Sequence, residues 1–434
     1  MMSPSRLLLV LIGCGPTIGA MAQETPPLKL PEPFATPSVE KRAVIIGWPK
    51  DKTPTAPPGF KVEVFAHDIA SPRWIYVLPN GDVLVAQSTT LPKGAKEEPP
   101  KPFPKEKEPK TPPPPVSPNI ITLLRDTNGD GLPDIRTIFL EGLKQPLGMV
   151  LVKDTFFVGN TDALMAYPYK ADQQKIEGPG KKILDLPGGG YNNHWTRNVL
   201  ANKDGTKLYV SVGSGSNVAE HGMDNEKLRA NILEVSPDGS GMRIFASGLR
   251  NPVGMAWEPT TGKLWTAVNE RDNLGDDLVP DFMTSVQEGG FYGWPFSYFG
   301  KHEDPRRKGE RPDLVEKAIV PDVPLGSHTA SLGLAFYTGK MFPAKYQGGA
   351  FIGQRGSWNR SSFVGYRIAF VPFKDGKAAG PPEDFVTGFL ANELEAYGRP
   401  VGVAFASDGS LLIADEMGNT VWRVSVDKKK EKDQ

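Results

Sequence analysis

The residues that could do chemistry in this chain recur at one kind of position, just ahead of an apolar run. In order they are Arg73, Gln145, Asn193 with His194, Arg250 with Asn251, Ser327 to Thr329, and Arg399. Arginine offers an anion a fixed fork of donors, and histidine exchanges protons near neutrality. If these segments converge, Arg73, Arg250 and Arg399 would hold an anionic ligand beside a histidine general base. Chain position alone does not choose between His194 and His328 for that base. The other histidines, His67, His221 and His302, lie in polar turns without metal-ligand spacing.

Two acidic stretches suggest cations. The loop Asn269 to Asp277 carries Glu270, Asp272, Asp276 and Asp277 around a glycine. Hard oxygen donors on such a loop suit calcium rather than zinc. The second stretch places Asp126, Asn128 and Asp130 at alternate positions before Gly131, followed by Asp134. It resembles the start of an EF-hand loop, although Thr137 stands where a bidentate Glu would close the cage. A structural calcium loop on a hairpin is expected there.

The elements that must position these residues are repeats. Six units share a turn residue, often Pro-x-Gly, and then an apolar run. They begin at Ser71, Gln145, His194, Asn251, Ala330 and Arg399. Most continue into a hairpin turn, such as Asn80-Gly81, Asp204-Gly205, Thr261-Gly262 or Asp408-Gly409, and a second apolar strand. Units of this size, roughly 50 to 80 residues apart, predict an all-β, six-bladed β-propeller with one sheet per unit around a central channel. Loops entering the inner strands of a propeller meet at one mouth, which would gather the polar ring. Helical periodicity is scarce, and its best stretch is Leu278 to Val286.

Composition agrees with many turns and short strands, with 47 Gly and 43 Pro in 434 residues. Fifty basic side chains balance fifty acidic ones, so no global field favours nucleic acid. Residues 1–22 read as an export signal, with apolar Leu7 to Ile12 and a small-x-small site at Ala20-Met21-Ala22. A competing reading takes Leu11-Ile12-Gly13-Cys14 as a lipobox, with a lipid anchor on Cys14. Cleavage after Ala22 is preferred because Cys14 leaves an unusually short signal. Either way an exported, periplasmic or extracellular protein is expected. Cys14 is the only cysteine, which excludes disulfides, thiol catalysis and an internal Cys-x-x-Cys-His haem site. Residues 23–58 read as a Pro-rich leader, 59–426 as the propeller, 91–118 as a mobile Pro/Lys/Glu-rich insertion, and 427–434 as a charged tail.

The order His194, GLRNPVG, a GDD loop, EGGFYGWP and GRPVGVAFASDGSLLIAD resembles the soluble pyrroloquinoline-quinone (PQQ)-dependent glucose and sorbosone dehydrogenases, most closely the sorbosone (aldose) branch. The likeness covers roughly Gly59 to Val426. It implies a propeller that binds PQQ and calcium at the channel mouth and oxidises a sugar, passing electrons to an external acceptor. By the resemblance, His194 is the general base and Arg250 stabilises charge developing on the quinone. Asn251 and Arg399 are quinone contacts, and Arg355 or Arg360 stands for the family's lysine. Arg73 and Thr329 are further candidate cofactor contacts. Gln145 and Asn193 fall near sugar-contacting positions, and Asp272 and Asn273 would offer backbone carbonyls to calcium. Two departures matter: Ser214 stands where an Asp orients the histidine, and Val401 replaces a second arginine. They keep two alternatives open, a non-catalytic propeller binding carbohydrate or protein, and a propeller lactonase.

Overall fold

Each repeat unit builds the innermost strand of a four-stranded antiparallel sheet, and six such sheets make up the propeller. The computed structural model describes residues 28–91 and 116–427. The expected signal peptide, Cys14, most of the insertion and the tail from 428 onward lie outside the described residues. The inner strands are Pro72–Val77, Met149–Val152, Val199–Ala201, Pro252–Trp257, Ser331–Phe336 and Pro400–Phe405. The sixth sheet borrows its outer strand from the other end of the chain. Phe60–Ala66 pairs with Thr420–Val426, with Phe60 opposite Val426 and Val64 opposite Trp422. Closure of this kind leaves no inner edge strand open.

The glycine of the repeat has a packing cause. A methyl group added at Gly254 would stand 2.6 Å from the Leu332 carbonyl oxygen, and one at Gly333 2.2 Å from that of Val401. At Gly402 it would meet the Arg73 carbonyl oxygen at 2.6 Å. At these junctions neighbouring inner strands touch backbone to backbone, which only glycine permits. Further out, large side chains fill the wedge between blades. Phe351, Phe385, Phe342, Tyr346 and Trp422 form one such core, and fully burying a ring of this size contributes roughly 1.5–3 kcal/mol.

Two expectations change on folding. Leu278 to Val286 is not helical: Pro280–Ser285 is the third strand of the fourth blade, buried on both faces, so its side chains carry no strand-like alternation. The leader is extended as expected, but it is docked. Val44–Ile45 pairs in parallel with Glu395–Ala396. Trp48 packs on Phe389, Tyr397 and Trp422 and donates its indole N–H to Asp415 at 2.6 Å. Nearer the N-terminus, the Phe34 amide donates to the Leu274 carbonyl and the Lys41 amide to that of Trp358, both at 2.8 Å. The leader thus runs across the loops of the fourth and fifth blades. Among the described residues, no helix is long and apolar enough to cross a membrane.

Candidate functional site

In an antiparallel pair, the residue entering the first strand lies beside the one leaving the second. The mouth is therefore lined twice, once by the entering residues picked out in the sequence and once by leaving residues. The Asn269 amide donates to the Asn251 carbonyl, that of Arg355 to Ala330, and that of Glu416 to Arg399.

His194 shows this pairing most clearly. Its Nδ1 lies 2.8 Å from the Ser214 carbonyl oxygen and 2.9 Å from the Ser214 hydroxyl. A carbonyl can only accept, so Nδ1 carries the proton and Nε2 presents a lone pair. The Ser214 hydroxyl donates in turn to the Ser216 carbonyl at 2.6 Å. Nε2 takes a long contact from the Asn193 amide nitrogen, at 3.5 Å. Burial depresses the His194 pKa well below its ordinary value, and the charge on Arg250 lowers it further. The ring is a neutral base at neutral pH. Beside it stands Asn251, whose Oδ1 is buried without a hydrogen-bond partner.

His328 is held in the opposite state. Its Nε2 faces the Gly275 carbonyl at 2.8 Å and its Nδ1 the Asp272 carboxylate at 3.5 Å. Burial opposes protonation here, but Asp272 overrules it and raises the pKa. With both nitrogens set against acceptors, His328 has no lone pair to offer. Structure thus separates two histidines that chain position left equal.

Arg250 is fully buried, and all five of its N–H groups are engaged. Nε donates to the Asn217 carbonyl at 3.1 Å, and Nη1 to the Asn269 and Glu270 carbonyls. Nη2 donates to Asn217 Oδ1 at 2.8 Å and to Asp272 Oδ2 at 3.2 Å. It is a fixed positive charge rather than a free donor.

Across the mouth lies a cationic cluster. Glu416 pairs with Arg73 at 2.8 Å and with Arg355, while Arg399 donates to the carbonyls of Arg355 (2.9 Å) and Gly356 (2.5 Å). Burial alone would raise the Glu416 pKa, but Arg355 and Arg73 hold it at about 2. Burial and the neighbouring Arg355 pull Arg399 down to about 9. Two guanidinium groups share one carboxylate with a third close by, and Arg73 Nε has no hydrogen-bond partner. Arg73 also lies over the ring of Trp195, the residue next to His194, at 5.1 Å. The excess of donors and positive charge in such a cluster can hold an anion.

Other expected residues are placed differently. Arg360 turns away to Asp277 and the Asp276 carbonyl, which leaves Arg355 as the arginine of the cluster. The Thr329 hydroxyl is spent on Asp281 and Ser331. Gln145 is buried and commits its amide to the Thr89 carbonyl at 2.9 Å. The acidic loop is neutralised from within, since Arg271 pairs with Glu270 and Asp304, and Asp272 with Arg250 and His328. The Asp272 carbonyl accepts from Arg306 Nη1 at 2.8 Å and Asn217 Nδ2 at 3.1 Å, and a guanidinium there does not fit a calcium ligand. The Asn273 amide is held by Asn359 Oδ1 at 2.8 Å.

At the second acidic stretch, Asp126 accepts from the Gly129 and Gly131 amides, Asn128 from that of Asp130, and Asp130 from that of Leu132. Asp134 accepts from Thr127. The stretch is a run of Asx turns instead of an open calcium cage. Among the described residues, no group of three or more His, Cys, Asp or Glu converges to hold a metal.

A cavity of about 360 Å³ is lined by Asn193, the residue before His194, and by Tyr191, Asn217, Asp272, Arg306 and Trp358 among others. A larger concavity of about 980 Å³ lies away from this chemistry, against the Asp126 loop and Arg423. Sequence reasoning missed Glu416, Asn217 and Trp358. Glu416 had a usable signal, because it directly follows the strand Leu411–Asp415 and so leaves a second strand at the mouth. For Asn217 and Trp358 there was none.

Residues 52–423 match the family model DUF7133, a domain of unknown function. An uncharacterized protein of Borreliella burgdorferi is 30% identical over 298 residues, spanning 66% of this chain and 77% of that protein. The Escherichia coli aldose sugar dehydrogenase YliI is 30% identical over 163 residues, 34% of this chain and 41% of that one. The holo form of the pyranose dehydrogenase PQQ domain from Coprinopsis cinerea superposes with a TM-score of 0.69 at 17% identity, over 88% of this chain and 98% of that one. At that identity the likeness to the solved structure is one of fold. The match over most of its length makes this six-bladed propeller a member of the DUF7133 family.

Proposed function

We propose that this propeller is a PQQ-dependent dehydrogenase that oxidises an aldose or sugar aldehyde to the lactone or acid. One observation carries the reading: a buried, neutral histidine, its Nε2 lone pair met only by the long contact to the Asn193 amide, shares the mouth with a cluster of arginines. The names of YliI and of the Coprinopsis domain point the same way.

PQQ is a compact tricarboxylate, and its charge fits the excess at Arg73, Arg355 and Arg399 and the unpartnered Nε of Arg73. These three residues and Asn251 would hold it. When bound, the quinone would accept the hydride leaving the sugar's anomeric carbon. His194 Nε2 takes the proton of the anomeric hydroxyl, while the Ser214 carbonyl and hydroxyl keep Nδ1 protonated and the ring oriented. Arg250 supplies a preorganised positive charge where negative charge develops. The sugar would occupy the cavity lined by Tyr191, Trp358, Asn193 and Asn217. Electrons would leave to an external acceptor, and export to the periplasm or beyond is part of the same reading. No calcium step is included, because Arg306 holds the Asp272 carbonyl, one of the two that such an ion was expected to use.

Reconstitution tests the proposal. Purified protein titrated with PQQ should bind one equivalent and show a reduced-quinone spectrum on adding aldoses. The absence of PQQ binding, together with the absence of a spectral change with any aldose, would overturn it.

A second expectation concerns Gly213. A methyl there would stand 2.4 Å from Asn251 Oδ1 and 2.6 Å from His194 Cβ, so Gly213→Ala must displace both side chains. Turnover should fall about 100-fold, the cost of an ångström-scale misplacement. Wild-type turnover in that variant would mean that the positions of His194 and Asn251 do not matter.

A further inference from the structure

We propose that Glu226 is the positioning residue for His194, supplying from one hydrogen bond further out the carboxylate that Ser214 lacks. The proposal rests on the dehydrogenase reading for its kinetic consequences, but not for its structural ones. Glu226 closes the short turn Met223–Glu226 between the second and third strands of the third blade, and its side chain is buried. Both of its oxygens are used on the loop that grips the histidine. Oε2 accepts from the Gly215 amide at 2.7 Å, and Oε1 from the Ser216 hydroxyl at 2.5 Å.

The consequences pass along the loop. With Gly215 and Ser216 fixed, the Ser216 carbonyl sits where the Ser214 hydroxyl must donate to it. The Ser214 oxygen can then only accept from His194 Nδ1, together with the Ser214 carbonyl. Hydroxyl orientation, histidine tautomer and the lone pair on Nε2 therefore follow from one buried carboxylate. The segment before His194 is tied to the same loop. The Asn193 amide donates to the Gly215 carbonyl at 2.9 Å, and Asn225, next to Glu226, donates to the Tyr191 carbonyl at 3.2 Å. A serine alone cannot stabilise an imidazolium as a carboxylate does, whereas a polarised chain ending on a carboxylate can do so in part.

Glu226→Gln keeps size and shape but turns one acceptor into an amide group, which must confront either the Gly215 N–H or the Ser216 hydroxyl. Two readouts follow. In quinone-free protein, nitrogen NMR should find a single Nδ1–H tautomer for His194 in the wild type and a tautomer mixture in Glu226→Gln. In reconstituted enzyme, kcat should fall about 10- to 100-fold, the size of effect found for outer partners of functional histidines, with KM and quinone affinity unchanged. The acid limb of the pH profile should move to lower pH, since the histidine loses a negative charge while Arg250, Arg197 and Asp272 around it are untouched. Ser216→Ala, which breaks only the Oε1 contact, should give a smaller change of the same kind and serves if the glutamine variant does not fold.

An unchanged tautomer and unchanged kcat in folded variants would overturn the proposal. The tautomer readout needs neither quinone nor sugar. A wild type that fails to bind PQQ therefore counts against the dehydrogenase reading alone, and a wild type without a single tautomer counts against the role of Glu226.

Discussion

Replacing His194 with alanine should lower turnover by about 10²- to 10⁴-fold, the usual contribution of a positioned base, while leaving PQQ binding intact. The separation is expected because His194 lies apart from the Arg73, Arg355 and Arg399 cluster that would hold the anionic cofactor. The wild-type pH profile gives an independent check. Burial, and then the charge of Arg250, push the His194 pKa well below its ordinary 6.5, against the opposing Ser214 carbonyl and Asp272. The base is unprotonated and competent above that depressed value, so kcat/KM should hold steady at pH 6.5 and drop only in more acidic solution. An acid limb above pH 6.5, or an alanine variant with wild-type turnover, would remove His194 from its assigned role. His328 cannot substitute, because Asp272 and the Gly275 carbonyl take both of its nitrogens.

Glu416→Gln should be the most destabilising single change at the mouth, costing about 3–5 kcal/mol at pH 7, the penalty for breaking a buried pair and leaving its partner charged. Glu416 is the carboxylate against which Arg73 and Arg355 are held, with Arg399 close by. The sign of the pH dependence follows from its depressed pKa. Its stabilisation is fully present above the ordinary pKa of 4.5 and is lost as pH falls through about 2. The gap in melting temperature between wild type and variant should therefore be wide at pH 7 and narrow progressively below pH 4.5. A polyvalent anion should reverse the defect: citrate or PQQ should raise the melting temperature of the variant more than that of the wild type. Equal melting temperatures at pH 7 would show that the arginines need no counter-charge, and an anion effect equal in both proteins would remove the cluster as an anion site.

How much of this was legible in the chain depends on the kind of contact. The entering half of the mouth could be read directly: Arg73, His194, Arg250, Asn251 and Arg399 each precede an apolar run, and a propeller brings such positions together. The leaving half was harder to see. Ser214, Asn269, Arg355 and Glu416 follow second strands, and their partners lie 17 to 25 residues earlier in the chain, as Arg399 does from Glu416 and Ala330 from Arg355. Ser214 and Arg355 were reached only through the family resemblance; reading the end of every second strand as well as the start of every first would have added Glu416. Asn217, which joins Arg250 to Asp272, lies in an irregular loop that no periodicity marks.

By itself the sequence determined the architecture, because the repeat is a local requirement: where inner strands meet backbone to backbone only glycine fits, and four of the six units state this in their own residues, Gly148, Gly254, Gly333 and Gly402. It also determined that arginines and histidines would gather at one mouth. Only the tertiary structure decided what those side chains are. Protonation state and charge balance depend on burial and on partners from other blades, and neither is written near the residue concerned. His194 is a neutral base because the Ser214 carbonyl meets its Nδ1, and His328 is not because Asp272 does. Asp272, expected to lend a carbonyl to calcium, lends its carboxylate to Arg250 and its carbonyl to Arg306.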